Sequence, residues 1–300
     1  MILSLLLPLL CPTATPTSLP YCLPIVQEPA PDADQQEDEK PKAKPKKKKF
    51  ARLTSPNKKS AQKGLRLIEK GEEEEDIAEG VAQLLELGEA VIPLSFDAVK
   101  RIEGTGRLET LWTVLDTLLI DDDLELAWSI VKSKHPDALR VYLVRRWANS
   151  DLKDSEKFLS KNMVHENPEI AYQAARGLAR RGIASAMPAI EVQVSEKWLK
   201  ESARIREDFA GIERGPLMAE LTPLLKRKRF KEKLTAIRLF ELFGPEDQIA
   251  VLAPFLSESD TTLRLAAINA CRVIVAKEEP LDRPSMTEII ERAEAWKAKL

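Results

Sequence analysis

The chain contains two histidines, His135 and His165, 30 residues apart, and imidazole is the side chain most suited to hold a metal or relay a proton near neutral pH. Asp137 and Glu166 stand close to them in the chain, but no cysteine or third histidine joins the pair, and a structural zinc needs four ligands. They read as turn residues, and no metal is expected. The acidic runs at residues 72–75 and 121–123 carry oxygen ligands for a hard cation. Each precedes an expected helix, where carboxylates cap free N–H groups and complement the helix dipole, so capping is the expected role. Ser60-Ala61-Gln62-Lys63 has the Ser-x-x-Lys spacing of some acyl enzymes without a second motif to build an oxyanion hole. Gly104-Thr105-Gly106 lacks the third glycine and the preceding strand of a dinucleotide loop. No catalytic residue and no cofactor follow from these patterns, and a non-enzymatic protein is expected.

Two basic clusters point to binding instead. Lys226, Arg227, Lys228 and Arg229 continue to Lys231 and Lys233; Arg forks there would hold phosphate or carboxylate on a partner, against the plainer reading of a solvated turn. Lys46, Lys47, Lys48 and Lys49 follow an acidic stretch that includes Glu28, Asp32, Asp34, Glu37, Asp38 and Glu39, so the net charge of −2 hides an asymmetry. Closely spaced ammonium groups displace counterions from a polyanion, which makes this arm a candidate contact for an anionic polymer, a membrane surface or nucleic acid. The alternative is an extended, solvated linker kept open by Pro41 and Pro45.

The elements that would position these residues are helical. Aromatic residues are 5% of the chain and only 11 glycines serve 300 residues, while Ala, Leu, Glu, Lys and Arg dominate; these are helix formers, and an all-α fold is expected. Residues 1–26 form an apolar leader in which the run Met1 to Cys11 has the length of a signal-peptide core and is too short to span a bilayer, and Pro8, Pro12, Pro16, Pro20 and Pro24 would break any longer helix; this points to export to the envelope or exterior, with a cytoplasmic location as the alternative. Leu9-Leu10-Cys11 matches a lipobox only loosely. Residues 27–61 have few large apolar side chains and are expected to be a disordered linker. Residues 62–300 are the expected folded domain. Cys11 and Cys22 lie in the leader, so no disulfide framework can form around Cys271.

Seven windows can be started at residues 74, 105, 137, 168, 199, 230 and 261, in steps of 31 or 32. Their seventh residues are Gly80, Leu111, Leu143, Ala174, Ile205, Ala236 and Ala267. Val81, Trp112, Val144, Ala175, Arg206, Ile237 and Ile268 are eighth, and Leu84, Leu115, Trp147, Leu178, Phe209, Phe240 and Cys271 eleventh. Offsets of one, three and four share one helix face, so these are core columns, and Cys271 is expected to be a buried small hydrophobe. Gly88, Gly182 and Gly244 fall where a left-handed cap would end each first helix. Asn167-Pro168 reads as an N-cap with proline at the first helical position, and Ser285 to Glu288 as a capping box. Second helices are expected at about 89–102, 122–133, 152–162, 184–195, 216–227 and 246–257. Arg145-Arg146 and Arg180-Arg181 fall at first-helix C-termini, where positive charge is favoured.

Such a helix pair cannot bury its apolar stripe alone, and stacking on neighbours gives an α-solenoid of about seven pairs. Residues 171–190, Ala-Tyr-Gln-Ala-Ala-Arg-Gly-Leu-Ala-Arg-Arg-Gly-Ile-Ala-Ser-Ala-Met-Pro-Ala-Ile, resemble the HEAT-repeat pattern in the short bacterial form also seen in phycobilin lyases; residues 262–270 are the next-best match. The resemblance implies a right-handed α-solenoid with second helices lining a concave, protein-binding face, and no particular activity. The expected function is a protein-binding scaffold. Two rivals are a nucleic-acid protein similar to HEAT-like DNA glycosylases, using the basic arm, and a chromophore-lyase or chaperone-like helper.

Overall fold

A computed structural model describes residues 48–300. The leader, the acidic stretch, Lys46 and Lys47 lie outside the described residues. Among the described residues every regular element is helical, and no helix is long and apolar enough to cross a membrane.

The first helix, α1 (Ser55–Lys70), begins inside the stretch expected to be a disordered linker to residue 61. Two local features override that composition. Pro56 sits in the first turn, where its missing N–H costs nothing, and Ala61, Gly64, Leu65 and Ile68 make a buried stripe at helical spacing. That stripe packs on α2 (Glu74–Leu87). Phe50 is buried as well, so the ordered chain reaches back ahead of α1.

A 3-10 turn (Gly88–Val91) leads into α3 (Ile92–Glu103), followed by α4 (Leu108–Leu118), a 3-10 turn at Asp121–Asp123 and α5 (Leu124–Ile130). Next come α6 (Asp137–Asn149), α7 (Ser155–Asn162), α8 (Pro168–Ala179), a turn at Ala184–Ala186 and α9 (Met187–Asp208). The chain closes with α10 (Met218–Leu225), α11 (Phe230–Phe243), a 3-10 stretch (Glu246–Leu252) running into α12 (Ala253–Leu256), α13 (Thr261–Cys271) and α14 (Met286–Lys297).

Five of the seven windows start where a helix starts: α2, α6, α8, α11 and α13 begin at residues 74, 137, 168, 230 and 261. Every residue of the seventh and eleventh columns is buried, and in the eighth column only Val81 and Arg206 are half-exposed. Window five departs from the expected pair. No loop separates the second helix of window four from the first helix of window five; α9 runs through both, with a single non-helical residue at Glu201 (φ −127°, ψ 19°). Neither glycine nor proline lies between residues 189 and 210 to stop it.

The expected N-caps hold. Asn167 Oδ1 accepts from the N–H groups of Glu169 (2.9 Å) and Ile170 (3.3 Å), and Ser285 Oγ accepts from Glu288 N–H (3.2 Å). Gly88 and Gly182 have positive φ, as caps require, but Gly244 does not (φ −68°). Glycine is needed there for space, since a Cβ would fall 2.5 Å from the Phe240 ring. The acidic runs also depart from expectation. Neither Glu73 nor Asp123 caps its helix through the side chain. Glutamate is a methylene longer than the preferred caps, and Asp123 already has helical backbone angles rather than the extended ones a cap needs. Asp123 is buried and pairs with Lys48; Asp121 pairs with Arg146 at 3.2 Å.

Side-chain links recur about one period apart in sequence. Tyr142 stacks on Trp112 with ring centroids 4.4 Å apart, and Arg146 Nη1 donates to Asp116 Oδ1 at 2.9 Å. Asn167 donates to Asp137 Oδ2 (2.9 Å) and Lys277 to Glu246 Oε2 (3.4 Å). Three arginines donate to carbonyls at the end of a neighbouring first helix: Arg146 to Leu119 (2.6 Å), Arg181 to Ala148 (3.1 Å), and Arg214 to Glu241 (2.8 Å) and Gly244 (3.1 Å). Helix C-termini leave such carbonyls without intrahelical partners. Arg146 and Arg181 therefore tie one helix pair to another, beyond complementing the dipole of their own helix.

Candidate functional site

α9, kinked at Glu201, packs against α11. Trp198, just before the kink, is buried, while its neighbour Leu199 is 88% exposed. Between α9, α11, α13 and the loop at residues 279–283 lies an open groove of about 500 Å³. Trp198, Leu199, Ser202 and Arg206 form one wall; Leu234, Arg238 and Glu241 of α11 line it as well. Opposite stand Leu265 and Asn269 of α13 with Leu281. Asn269 pins that loop by accepting from Leu281 N–H (2.8 Å), and Arg272 Nε donates to the Glu279 carbonyl (3.0 Å).

The base of the groove is a buried charge cluster. All ten residues from Leu234 to Phe243 are buried, so Arg238 and Glu241 are charged groups on an enclosed helix. Glu241 Oε1 accepts from Arg206 Nε at 2.5 Å. Burial pushes the Glu241 carboxyl above its ordinary range, and Arg206, Arg238 and Arg214 oppose that rise. The Arg206 and Arg238 guanidinium carbons lie 4.8 Å and 5.3 Å from the centroid of the Trp198 ring, within cation–π range. Arg238 is 8% exposed, and among the described residues it has no hydrogen bond and no ion pair; Glu241 is bonded to Arg206 through Oε1. Burial pushes its guanidinium down to about 10, with Glu241 opposing and Arg206 adding to the shift. The chemistry on offer is oxyanion binding beside an apolar wall.

The second helices carry a separate cleft of about 580 Å³, floored by Trp128, Trp147 and Phe158, with Lys153, Lys157 and Lys161 along one side and Asp122 and Glu125 along the other. Trp147 stacks on Phe158 (4.4 Å), and the indole Nε1–H of Trp147 has no acceptor among the described residues.

The basic turn is only partly free. Lys226, Lys228, Arg229 and Lys231 are exposed, but Arg227 is bonded to Glu191 of α9, and Lys233 is paired with Glu258 (2.5 Å). Lys49 is exposed, whereas Lys48 is engaged by Asp123. His135 is buried, accepts from Lys132 N–H at Nδ1 (2.9 Å) and meets Asp97 (3.1 Å); His165 accepts from Asn167 N–H (3.0 Å). Both histidines thus brace turns. No group of three or more His, Cys, Asp or Glu side chains is arranged to hold a metal among the described residues. Cys271 is fully buried, and burial pushes its thiol up to about 12.

Trp198, Arg238 and Glu241 were not singled out in the sequence. A signal for them exists: Thr235, Arg238 and Glu241 recur every three residues through the otherwise mostly apolar Leu234–Phe243 stretch, and polar groups on a helix buried all round require partners. No protein-family model, no curated protein and no solved structure matches the chain.

Proposed function

We propose that the helix pairs stack as a right-handed α-solenoid of the short HEAT-like kind and that the protein is a non-enzymatic scaffold binding a protein partner. The observation that carries this reading is the repeated link between residues 30 or 31 positions apart, Asp116 to Arg146, Asp137 to Asn167 and Glu246 to Lys277. Separations equal to the repeat are what translational stacking of successive units produces, and they support a one-dimensional array. At about 8–10 Å per helix layer, seven pairs make a rod on the order of 60 Å long. The groove beside α11 supplies exposed apolar surface next to buried cations, a combination suited to a polypeptide ligand.

The binding surface in this reading includes first helices as well as the second-helix face that the HEAT resemblance implies. The apolar leader at residues 1–26 supports export of the scaffold to the envelope or exterior. The nucleic-acid alternative is weakened by the internal pairing of Arg227 and Lys233, which leaves fewer free cations to displace counterions.

Two measurements test the proposal. In a chain with Cys11 and Cys22 changed to Ser, Glu246→Cys and Lys277→Cys introduced together should be joined by a bis-maleimide whose spacer matches the Glu–Lys side-chain pair it replaces, because stacking sets those positions near each other; failure to cross-link argues against the array. The mature N-terminal residue and its cell fraction test export, and an uncleaved cytoplasmic chain would remove that part of the reading.

A further inference from the structure

We propose that the groove between α9, α11 and α13 holds an oxyanion subsite, with Arg238 as its principal donor, for a carboxylate side chain on an acidic partner segment flanked by apolar residues. This rests on the scaffold reading and names the chemistry of its ligand. A guanidinium carries five N–H donors, and a buried charge is ordinarily paired and hydrogen-bonded. Arg238 is buried as a residue and has neither kind of partner among the described residues, while its nitrogens are not among the fully enclosed unpaired polar atoms and so keep contact with the groove. The Trp198 face attracts the cation but accepts none of those N–H groups in the way an oxygen does. Arg206, Arg214 and Arg238 stand against the single Glu241 at the base while Arg283, Glu279 and Asp282 line the rim, so the site carries a net charge of +1 with its carboxylates ionised, and one carboxylate entering the groove balances it.

The walls choose between anions. Glu241 lies beside Arg238, and Glu279 and Asp282 stand at the rim, so a phosphate dianion meets more repulsion than a singly charged carboxylate, which also matches the planar guanidinium fork. Leu199 on one side and Leu265 and Leu281 on the other give apolar residues flanking that carboxylate a place to lie. Asn269 and Arg272 hold the far wall in place, so little ordering is needed on binding.

The test uses the full chain and three synthetic twelve-residue peptides in which Leu alternates with Glu, Gln or Lys. Side-chain Nε–H resonances of arginine are followed by NMR, with Arg238 assigned through Arg238→Gln. The Glu peptide should shift the Arg238 signal saturably, and the Gln and Lys peptides should not. Arg238→Gln should weaken Glu-peptide binding at least about tenfold with an unchanged far-UV spectrum. Leu199→Glu should weaken it too, and because that site is on the surface this variant keeps the test decisive if Arg238→Gln folds poorly. No shift with the Glu peptide at millimolar concentration, or an equal shift with the Gln peptide, overturns the subsite. Displacement of the Glu peptide by inorganic phosphate at equal concentration overturns the carboxylate assignment. The cross-link between the Glu246→Cys and Lys277→Cys positions is indifferent to all these outcomes; its absence would instead count against the stacked array.

Discussion

Gly177→Ala should destabilise the protein although it improves a helix. Gly177 lies inside α8, where alanine is intrinsically better by about 0.8–1 kcal/mol. A Cβ at that position would sit 2.6 Å from Ala148 Cα, 2.7 Å from Ala148 Cβ and 2.8 Å from Leu159 Cδ1. Two of those atoms belong to the backbone and first side-chain atom of α6, which cannot rotate away, so α6 and α8 must separate. Overpacking of this kind costs about 1–3 kcal/mol, and three contacts below 3.0 Å place it toward the upper end, for a net loss of about 1–2 kcal/mol. Gly104→Ala is the control. It ends α3 with helical angles (φ −63°, ψ −14°), and a Cβ there meets only the Arg101 carbonyl, at 3.5 Å; it should be neutral or slightly stabilising. Urea midpoints by circular dichroism compare the two, and hydrogen exchange on α6 and α8 localises the effect, which guards against the loss of two-state behaviour common in long repeat arrays. A midpoint for Gly177→Ala equal to or above that of the parent would refute the close approach of α6 and α8.

Other outcomes follow from the same packing. Leu178→Ala, next door in the fully buried eleventh column, should cost about 2–5 kcal/mol; an unchanged unfolding midpoint would contradict its place in the core. Burial alone would raise the Asp97 carboxyl, but hydrogen bonds from Lys134 (2.5 Å) and His135 (3.1 Å) hold it below the ordinary 3.8. A depressed carboxylate contributes stability above its unfolded value, and that contribution disappears as pH falls through the folded one. Asp97→Asn should therefore flatten the loss of stability below about pH 4, and a urea-midpoint series with the same acid slope as the parent would contradict this.

The legible part of the fold was the part that repeats. Core columns such as Ala174 and Leu178 recur every 31 or 32 residues, and a helix that buries one face must show that periodicity in its own sequence. The N-caps at Asn167 and Ser285 were legible for a related reason, since a cap bonds to N–H groups two or three residues away. The α1 helix was missed because Lys and Pro composition around it outweighed a four-residue stripe at Ala61, Gly64, Leu65 and Ile68.

What the tertiary structure decided were the meetings between residues distant in the chain. Gly244 reads as a left-handed cap by position, yet the ring of Phe240 is what demands it. Asp121 and Asp123 read as helix caps, yet Arg146 and Lys48 claim them. The basic turn is the densest run of cations in the folded part of the sequence, yet Glu191 and Glu258, 36 and 25 residues away from their partners, neutralise part of it. Arg238 went unnoticed because its distinguishing property, a buried cation left without an acceptor beside Trp198, has no local spelling. Local hydrogen bonds and apolar periodicity are written within one turn of helix; charge compensation is settled only when separate helices come together, because a charge is satisfied by whatever lies within a few ångströms of it, however far off in sequence.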